Sequence, residues 1–208
     1  MASDISIMLA GFGGQGILFA GKVIAYAGLL DGREVSWLPS YGPEMRGGTA
    51  NCSVVISDEP IGSPLITNPD VLIAMNMPSY DRYIGDVPSG GVVILDSSLV
   101  SGYTPRDDVS YYPIPATNLA NENGLRTLGN VIMIGRLMAA TGFASEETLR
   151  LAIDKSVSAR HTDLIEFNKQ ALKLGATWQP DSEQGAESKP GAGSADTESE
   201  MAGIGAAV

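Results

Sequence analysis

A single cysteine and a single histidine stand in a chain of 208 residues, and their scarcity removes several chemistries at once. One thiol cannot close an intramolecular disulfide, nor can it hold an iron–sulfur cluster, which takes about four thiolates. With one imidazole beside it, a zinc site is not expected either. Basic residues are also few. Thirteen Lys and Arg against 24 Asp and Glu give a net charge of −11 with no basic cluster, which argues against nucleic acid as a partner. Long apolar runs are missing too: the longest, residues 17–30, is interrupted by Gly21 and Lys22 and is too short to cross a bilayer. Asp4 stands where a signal peptide carries basic residues. The expectation is a cytoplasmic protein without a membrane partner.

The remaining composition is that of a globular protein, with a hydrophobic share of 44%, enough for one domain with a full core. That domain is expected over residues 1–179. Residues 180–208 are mostly Gly, Ala, Ser and Pro with six acids against Lys189, a composition that cannot bury enough apolar area to offset chain entropy. They are read as a disordered acidic tail that serves solubility. No internal repeat and no second-domain boundary is found.

The domain is organised around Gly11-Phe12-Gly13-Gly14-Gln15-Gly16, set between the apolar run of residues 5–10 and the apolar segment that ends at Leu30. A short apolar run, Gly-x-Gly-x-x-Gly and a helix-favouring segment read as strand, tight turn and helix. Glycines allow positive φ and close approach to the N–H groups of a helix start, where the dipole favours negative charge. The fold class that follows is α/β: a doubly wound, mostly parallel sheet with a Rossmann-like glycine loop and C-terminal helices. A dinucleotide site would also want an acid at the carboxyl end of the second strand. The candidate strand at residues 34–38 ends in Pro39-Ser40, and its one acid, Glu34, sits at the wrong end. NAD is therefore not the expected ligand.

Further along, the periodicity predicts a helix over about residues 14–30, apolar on nearly every face, capped at Gly32 and covered by something beyond the sheet. The loop Ser40-Tyr41-Gly42-Pro43-Glu44-Met45-Arg46-Gly47-Gly48 combines backbone punctuators with a carboxylate and a guanidinium. Residues 49–57 alternate as a half-buried strand with Cys52 on the inward phase, a small hydrophobe rather than a reactive thiol. Residues 70–75 and 91–95 read as inner parallel strands. Residues 109–114 read as a sixth strand at an edge, marked by Pro113 and Pro115.

Asn76, Tyr80, Asp96 and Ser97 follow the carboxyl ends of the inner strands. They can line a ligand crevice there, or serve only as turn formers and helix caps. Three helices close the domain, at residues 128–140, 146–157 and 163–174. The expected signals are a cap at Ser145, an Asp163/Glu166 capping box, and stops at Gly142 and Gly175. Met133 and Met138 read as core filler. His161 lies in a joint with no serine, cysteine or carboxylate motif tied to it, so no catalytic residue is assigned.

Together the two glycine-bearing stretches, 11–16 and 40–48, resemble the two signatures of the gamma subunit of 2-oxoacid:ferredoxin oxidoreductases. The strand ending in Val55-Ile56-Ser57 and the helix with Asn130-Val131-Ile132 agree, and the resemblance covers residues 5–175 or so. It implies a complex that decarboxylates a 2-oxoacid oxidatively with coenzyme A to acyl-CoA, carbon dioxide and reduced ferredoxin, with 2-oxoglutarate the first substrate to consider. In that family thiamine diphosphate and Mg lie between alpha and beta subunits, and iron–sulfur clusters lie on cysteine-bearing chains, sometimes a ferredoxin-like delta subunit. This chain would bind none of these cofactors alone.

The ligand- or partner-binding loops implied are Gly11, Gly13, Gly14, Gln15 and Gly16 with Tyr41, Gly42, Pro43, Glu44, Arg46, Gly47 and Gly48. They would cover the alpha–beta active site and contact coenzyme A, or only pack against a partner chain. The alternative is a free-standing nucleotide-binding Rossmann-like oxidoreductase.

Overall fold

Strands β1 (Ile5–Phe12), β2 (Glu34–Ser40), β3 (Thr49–Ser57), β4 (Val71–Ala74), β5 (Val92–Asp96) and β6 (Ser110–Ile114) form one sheet in the order β2-β3-β1-β4-β5-β6. The computed structural model describes residues 4–40 and 49–180. From β1 to β6 the strands are parallel. The all-buried Val71-Leu72-Ile73-Ala74 shows why its run does not alternate, since a central parallel strand is covered on both faces. On the other side, β3 is antiparallel to both β1 and β2. The second strand in sequence is thus the sheet's outer edge, where Pro39 can lack its N–H without breaking an inner ladder. This arrangement is the α/β fold read from the sequence, with the edge strand β6 where Pro113 placed it.

One face carries helices α1 (Ile17–Leu30), α4 (Gly129–Thr141), α5 (Glu146–Ser156) and α6 (Leu164–Thr177), which share a core with Ile7, Leu9, Ile56, Ile73 and Ile94. The opposite face carries α2 (Met77–Tyr83), with Tyr80 against Met8, Leu72 and Leu95. A short helix α3 (Ala116–Glu122) follows β6. It had no signal in the sequence reading, because seven residues rich in Asn offer no periodic stripe.

Three expectations need correction. Helix α1 begins at Ile17 rather than near Gly14, because Gly14 (φ 92°) and Gly16 (φ 76°) are both left-handed, a conformation that cannot extend a right-handed helix. As expected, an element beyond the sheet covers its apolar outer side, here α5: Leu149, Ala152 and Ile153 join the same core, Lys22 Nζ donates to the Ser156 carbonyl at 3.3 Å, and Thr148 Oγ1 donates to Asp31 at 2.8 Å. Asp163 makes no capping bond, since its own backbone is helical (φ −57°, ψ −28°) and turns the carboxylate away from the cap position. Gly175 does not stop α6, which continues to Thr177; the glycine instead admits α4, whose Ile132 carbonyl would meet any Cβ placed there. The cap at Ser145, whose side chain accepts from Thr148 N, and the left-handed stop at Gly142 are as expected.

Cys52 is wholly buried, its Sγ 3.5 Å from the Ile17 carbonyl, and burial pushes its thiol up to about 12. The folded chain should therefore resist iodoacetamide at pH 8 and become alkylated once denatured in guanidinium, read by intact mass. Fast alkylation of the native chain would show that the wall formed by Gly21 and Trp37 opens. No helix among the described residues is long and apolar enough to cross a membrane.

Candidate ligand cleft at the carboxyl ends of the strands

The chain leaves β1 for α1 on one face of the sheet and β4 for α2 on the other, so their carboxyl ends flank a switch in winding direction, where open α/β sheets bind ligands. A cleft of about 210 Å³ lies there, lined by Gly14 and Gln15 from the β1–α1 loop, Met75 after β4, Thr117 and Asn121 of α3, and Thr127, Gly129 and Asn130 at the start of α4. Helices α1 and α4 both begin beside it, bringing two first turns and two positive dipole ends to one opening. Phe12 and Leu99, 40% and 42% exposed, add apolar surface at the same end of the sheet.

The loop holds its shape through side chains. Gln15 Oε1 accepts from Phe12 N at 2.5 Å and its Nε2 donates to the Met75 carbonyl at 2.9 Å, pinning the ends of β1 and β4 together. Gly11 makes room for this fold-back, since a Cβ there would meet Gln15 Oε1 and Ile17 Cδ1 at 2.7 Å. Asn130 Nδ2 donates to the Gly16 carbonyl at 3.0 Å from beneath. Asn130 is 3% exposed, and its Oδ1 has no hydrogen-bond partner. Gly13 differs from the others: it is not left-handed, and a Cβ there would touch nothing within 4 Å among the described residues.

Of the four strand-end candidates, none lines the cleft itself. Asn76 caps α2, its Oδ1 accepting from Ser79 N at 2.8 Å, and its Nδ2 reaches Gln15 Oε1 at 3.4 Å. Asp96 is fully buried; it accepts from Ser98 N at 3.0 Å and from Thr117 N and Oγ1, and so ties β5 to the start of α3. Ser97 is exposed, and its N–H donates to the Ile114 carbonyl. Tyr80 lies on the opposite face, its hydroxyl 3.1 Å from that of Tyr111 and its ionisation pushed upward by burial. Thr117, Asn121 and Thr127 went unnoticed in the sequence reading, because α3 was not foreseen and α4 carried only its core stripe.

Tyr41, Gly42, Pro43, Glu44, Arg46, Gly47 and Gly48 lie outside the described residues. Their flanks are informative all the same. Phe12 pairs with Thr49 and Ser40 pairs with Asn51, so β2 ends and β3 begins at the end of the sheet that carries the glycine loop. A larger hollow of about 670 Å³ lies at the opposite end, near the starts of β1, β4 and β5, where Arg33 bonds Asp58 at 2.7 Å. It has none of the motif residues.

Among the described residues the donor set does not fit an iron–sulfur cluster or a Mg ion. The one thiol is sealed under α1, and no group of three or more His, Cys, Asp or Glu among the described residues could hold a metal.

Residues 6–178 match the family described as pyruvate ferredoxin/flavodoxin oxidoreductase. Ketoisovalerate oxidoreductase subunit VorA of Methanothermobacter marburgensis is 41% identical over 177 residues, which are 84% of this chain and 36% of the relative. The chain thus spans little more than a third of that protein. The gamma subunit of a keto/oxoacid ferredoxin oxidoreductase from Geobacter sulfurreducens superposes with a TM-score of 0.72 at 31% identity, over 83% of this chain and 96% of that one. A 2-oxoglutarate:ferredoxin oxidoreductase from Magnetococcus marinus, solved with 2-oxoglutarate, coenzyme A and succinyl-CoA bound, matches with a TM-score of 0.73 at 27% identity, over 84% of this chain and 31% of that one.

Proposed function

Because the chain belongs to the pyruvate ferredoxin/flavodoxin oxidoreductase family, we propose that it is the gamma subunit of a cytoplasmic 2-oxoacid:ferredoxin oxidoreductase and that its cleft receives part of coenzyme A. Alpha and beta subunits, and where present a ferredoxin-like delta subunit, would complete the complex. Thiamine diphosphate with Mg, and iron–sulfur clusters, would supply decarboxylation and electron transfer from those chains. The substrate is a 2-oxoacid, with 2-oxoglutarate the first to assay.

One observation carries the cleft assignment: the glycine loop, the flanks of the second motif and the starts of two helices meet at one end of the sheet. Convergent N–H groups suit a phosphorylated ligand, and Phe12 and Leu99 suit an apolar arm beside it. A cleft of this size holds a portion of coenzyme A, and the partner chains would hold the rest. The role of this chain is then to bind and orient the acyl acceptor and to keep water from the reacting centre. Arg46 and Glu44 would offer a guanidinium and a carboxylate to the ligand or to a partner chain.

Gly13→Leu tests this reading, because a Cβ at Gly13 meets no atom of the described residues within 4 Å. In the reconstituted complex the KM for coenzyme A should rise about tenfold or more, with the KM for the 2-oxoacid and the yield of complex unchanged. Loss of assembly, with a normal KM in whatever complex forms, would show that the loop only packs against a partner.

A further inference from the structure

The described arginines differ in what they face. Arg33, Arg82, Arg106 and Arg150 each meet a carboxylate. Arg126 and Arg160 meet none among the described residues, but both are exposed, so water serves their donors. Arg136 of α4 is different: it is half-buried, and among the described residues it has no ion pair, in a chain that carries 24 acids. Its guanidinium carbon stands 5.6 Å from the centre of the Tyr112 ring and 5.3 Å from that of Trp178. Nη1 donates to the Trp178 carbonyl at 3.4 Å, Nη2 makes no hydrogen bond among the described residues, and Nε is sealed without an acceptor. Burial pulls its pKa below the ordinary arginine value, and the Tyr112 hydroxyl offsets only part of that. Three elements converge to make the arrangement: α4, the outermost strand β6 and the residue that follows α6. A ring face attracts a cation but offers it no acceptor oxygen. A partly desolvated cation without a counter-ion costs the lone chain stability, and a carboxylate closing on it recovers that cost.

We propose that the stack of Arg136 with Tyr112 and Trp178 is an interface anchor, which takes a carboxylate side chain from another polypeptide of the oxidoreductase complex. This rests on the reading of the chain as a gamma subunit, given above. A guanidinium already held between two rings loses little freedom on pairing, and Trp, Tyr and Arg are the residue types that dominate the energy at interface centres. Two facts favour such a partner over a second copy of the chain. This chain spans 36% of subunit VorA and 31% of the Magnetococcus marinus chain, so in those relatives the fold is one part of a larger polypeptide and has neighbours in it. A second copy would bring a further net charge of −11 against this one, and like charges oppose the association.

The test uses the full-length chain, with the alpha and beta subunits of its complex, purified together, as the probe. Arg136→Met keeps an aliphatic stem between the rings and removes the charge. The dissociation constant for the alpha–beta pair should rise about tenfold or more. The isolated variant should melt at or above the wild-type temperature, because an unpaired charge has left a half-buried place. A stack that served only the fold would give the reverse, a lower melting temperature with an unchanged dissociation constant, and that result overturns the assignment. Arg150→Met, which removes an arginine of α5 that pairs with Glu146 at 3.9 Å, should change neither quantity; an equal loss of affinity there would make the effect one of net charge and overturn it too. Removing residues 181–208 should leave both effects of Arg136→Met as they are. If the effects vanish with those residues, the carboxylate is the chain's own, and a dimer of the isolated chain that Arg136→Met dissociates would give the site to a second copy; either result overturns the partner assignment. If the wild-type chain binds the alpha–beta pair and Arg136→Met binds it equally well, the anchor falls and the gamma-subunit reading stands. If the wild-type chain does not bind the pair, both fall.

Discussion

Gly175→Ala should cost about 3 kcal/mol of stability, at the upper end of what an added core methyl does. The reason is where the methyl would go. A Cβ at Gly175 would overlap the Ile132 carbonyl oxygen, and one at Gly135 would overlap the Leu172 carbonyl, so α4 and α6 cross through two facing glycines with backbone against backbone. Side-chain rotation can relieve a clash with a flexible neighbour; here the obstacle is main chain, and only separation of the helices relieves it. Separation would loosen the contacts of Ile132, Leu137, Ala171 and Leu172, all fully buried. Urea denaturation followed by circular dichroism should show a lowered midpoint, and the melting temperature should fall by about 6–12 °C. Gly135→Ala should behave alike, and Gly13→Ala should stay within about 0.5 kcal/mol of wild type. A Gly175→Ala chain with a wild-type midpoint would mean that the two helices are not locked together.

Gly175 also marks where sequence reading reaches its limit. A glycine after an amphipathic stretch reads as a helix end, because local signals report conformational freedom and say nothing about a helix approaching from 40 residues away. The strands were legible because their apolar runs are short and bounded by turn residues, and the edge position of β6 followed from its proline. The place of β2 was not. Nothing in Glu34–Ser40 states that β3 will insert between it and β1, and this pairing removes the second-strand position where a dinucleotide fold places its ribose acid.

At the cleft, Gly14 and Gln15 were readable as a loop motif, yet the role of Gln15 as a clasp on Met75 depends on a strand 60 residues later. For Asp96 and Asn76 the sequence left crevice and cap readings open, because ligands bind at strand ends and a helix start needs the same side chains at the same place; the cap reading holds. Asn121 and Thr127 carry no motif at all, and only the packing of α3 against α4 brings them to the opening.

Gly16→Ala should be nearly as costly, about 3 kcal/mol, and its origin can be separated from that of Gly175. Part is conformational: at φ 76° an alanine pays about 1 kcal/mol for the left-handed region. The rest is contact, because the Cβ would press on the amide of Asn130, which is buried and tied to the Gly16 carbonyl at 3.0 Å. Asn130→Ala alone should cost only about 1 kcal/mol, since it loses one hydrogen bond and also removes the unpaired buried Oδ1. Combining the two changes removes the clash and leaves the strain, so the double variant should lose about 2 kcal/mol rather than the 4 or so of simple addition.

That coupling, measured by urea denaturation of the four chains, reports whether Asn130 sets the height of the glycine loop above the cleft. In the complex the same logic applies to binding: Gly16→Ala should raise the KM for coenzyme A, and Asn130→Ala in the same chain should restore part of it. Strict additivity in stability would mean that the loop swings aside from Asn130 unopposed, and the cleft would then owe its shape to Gln15 and Met75 instead.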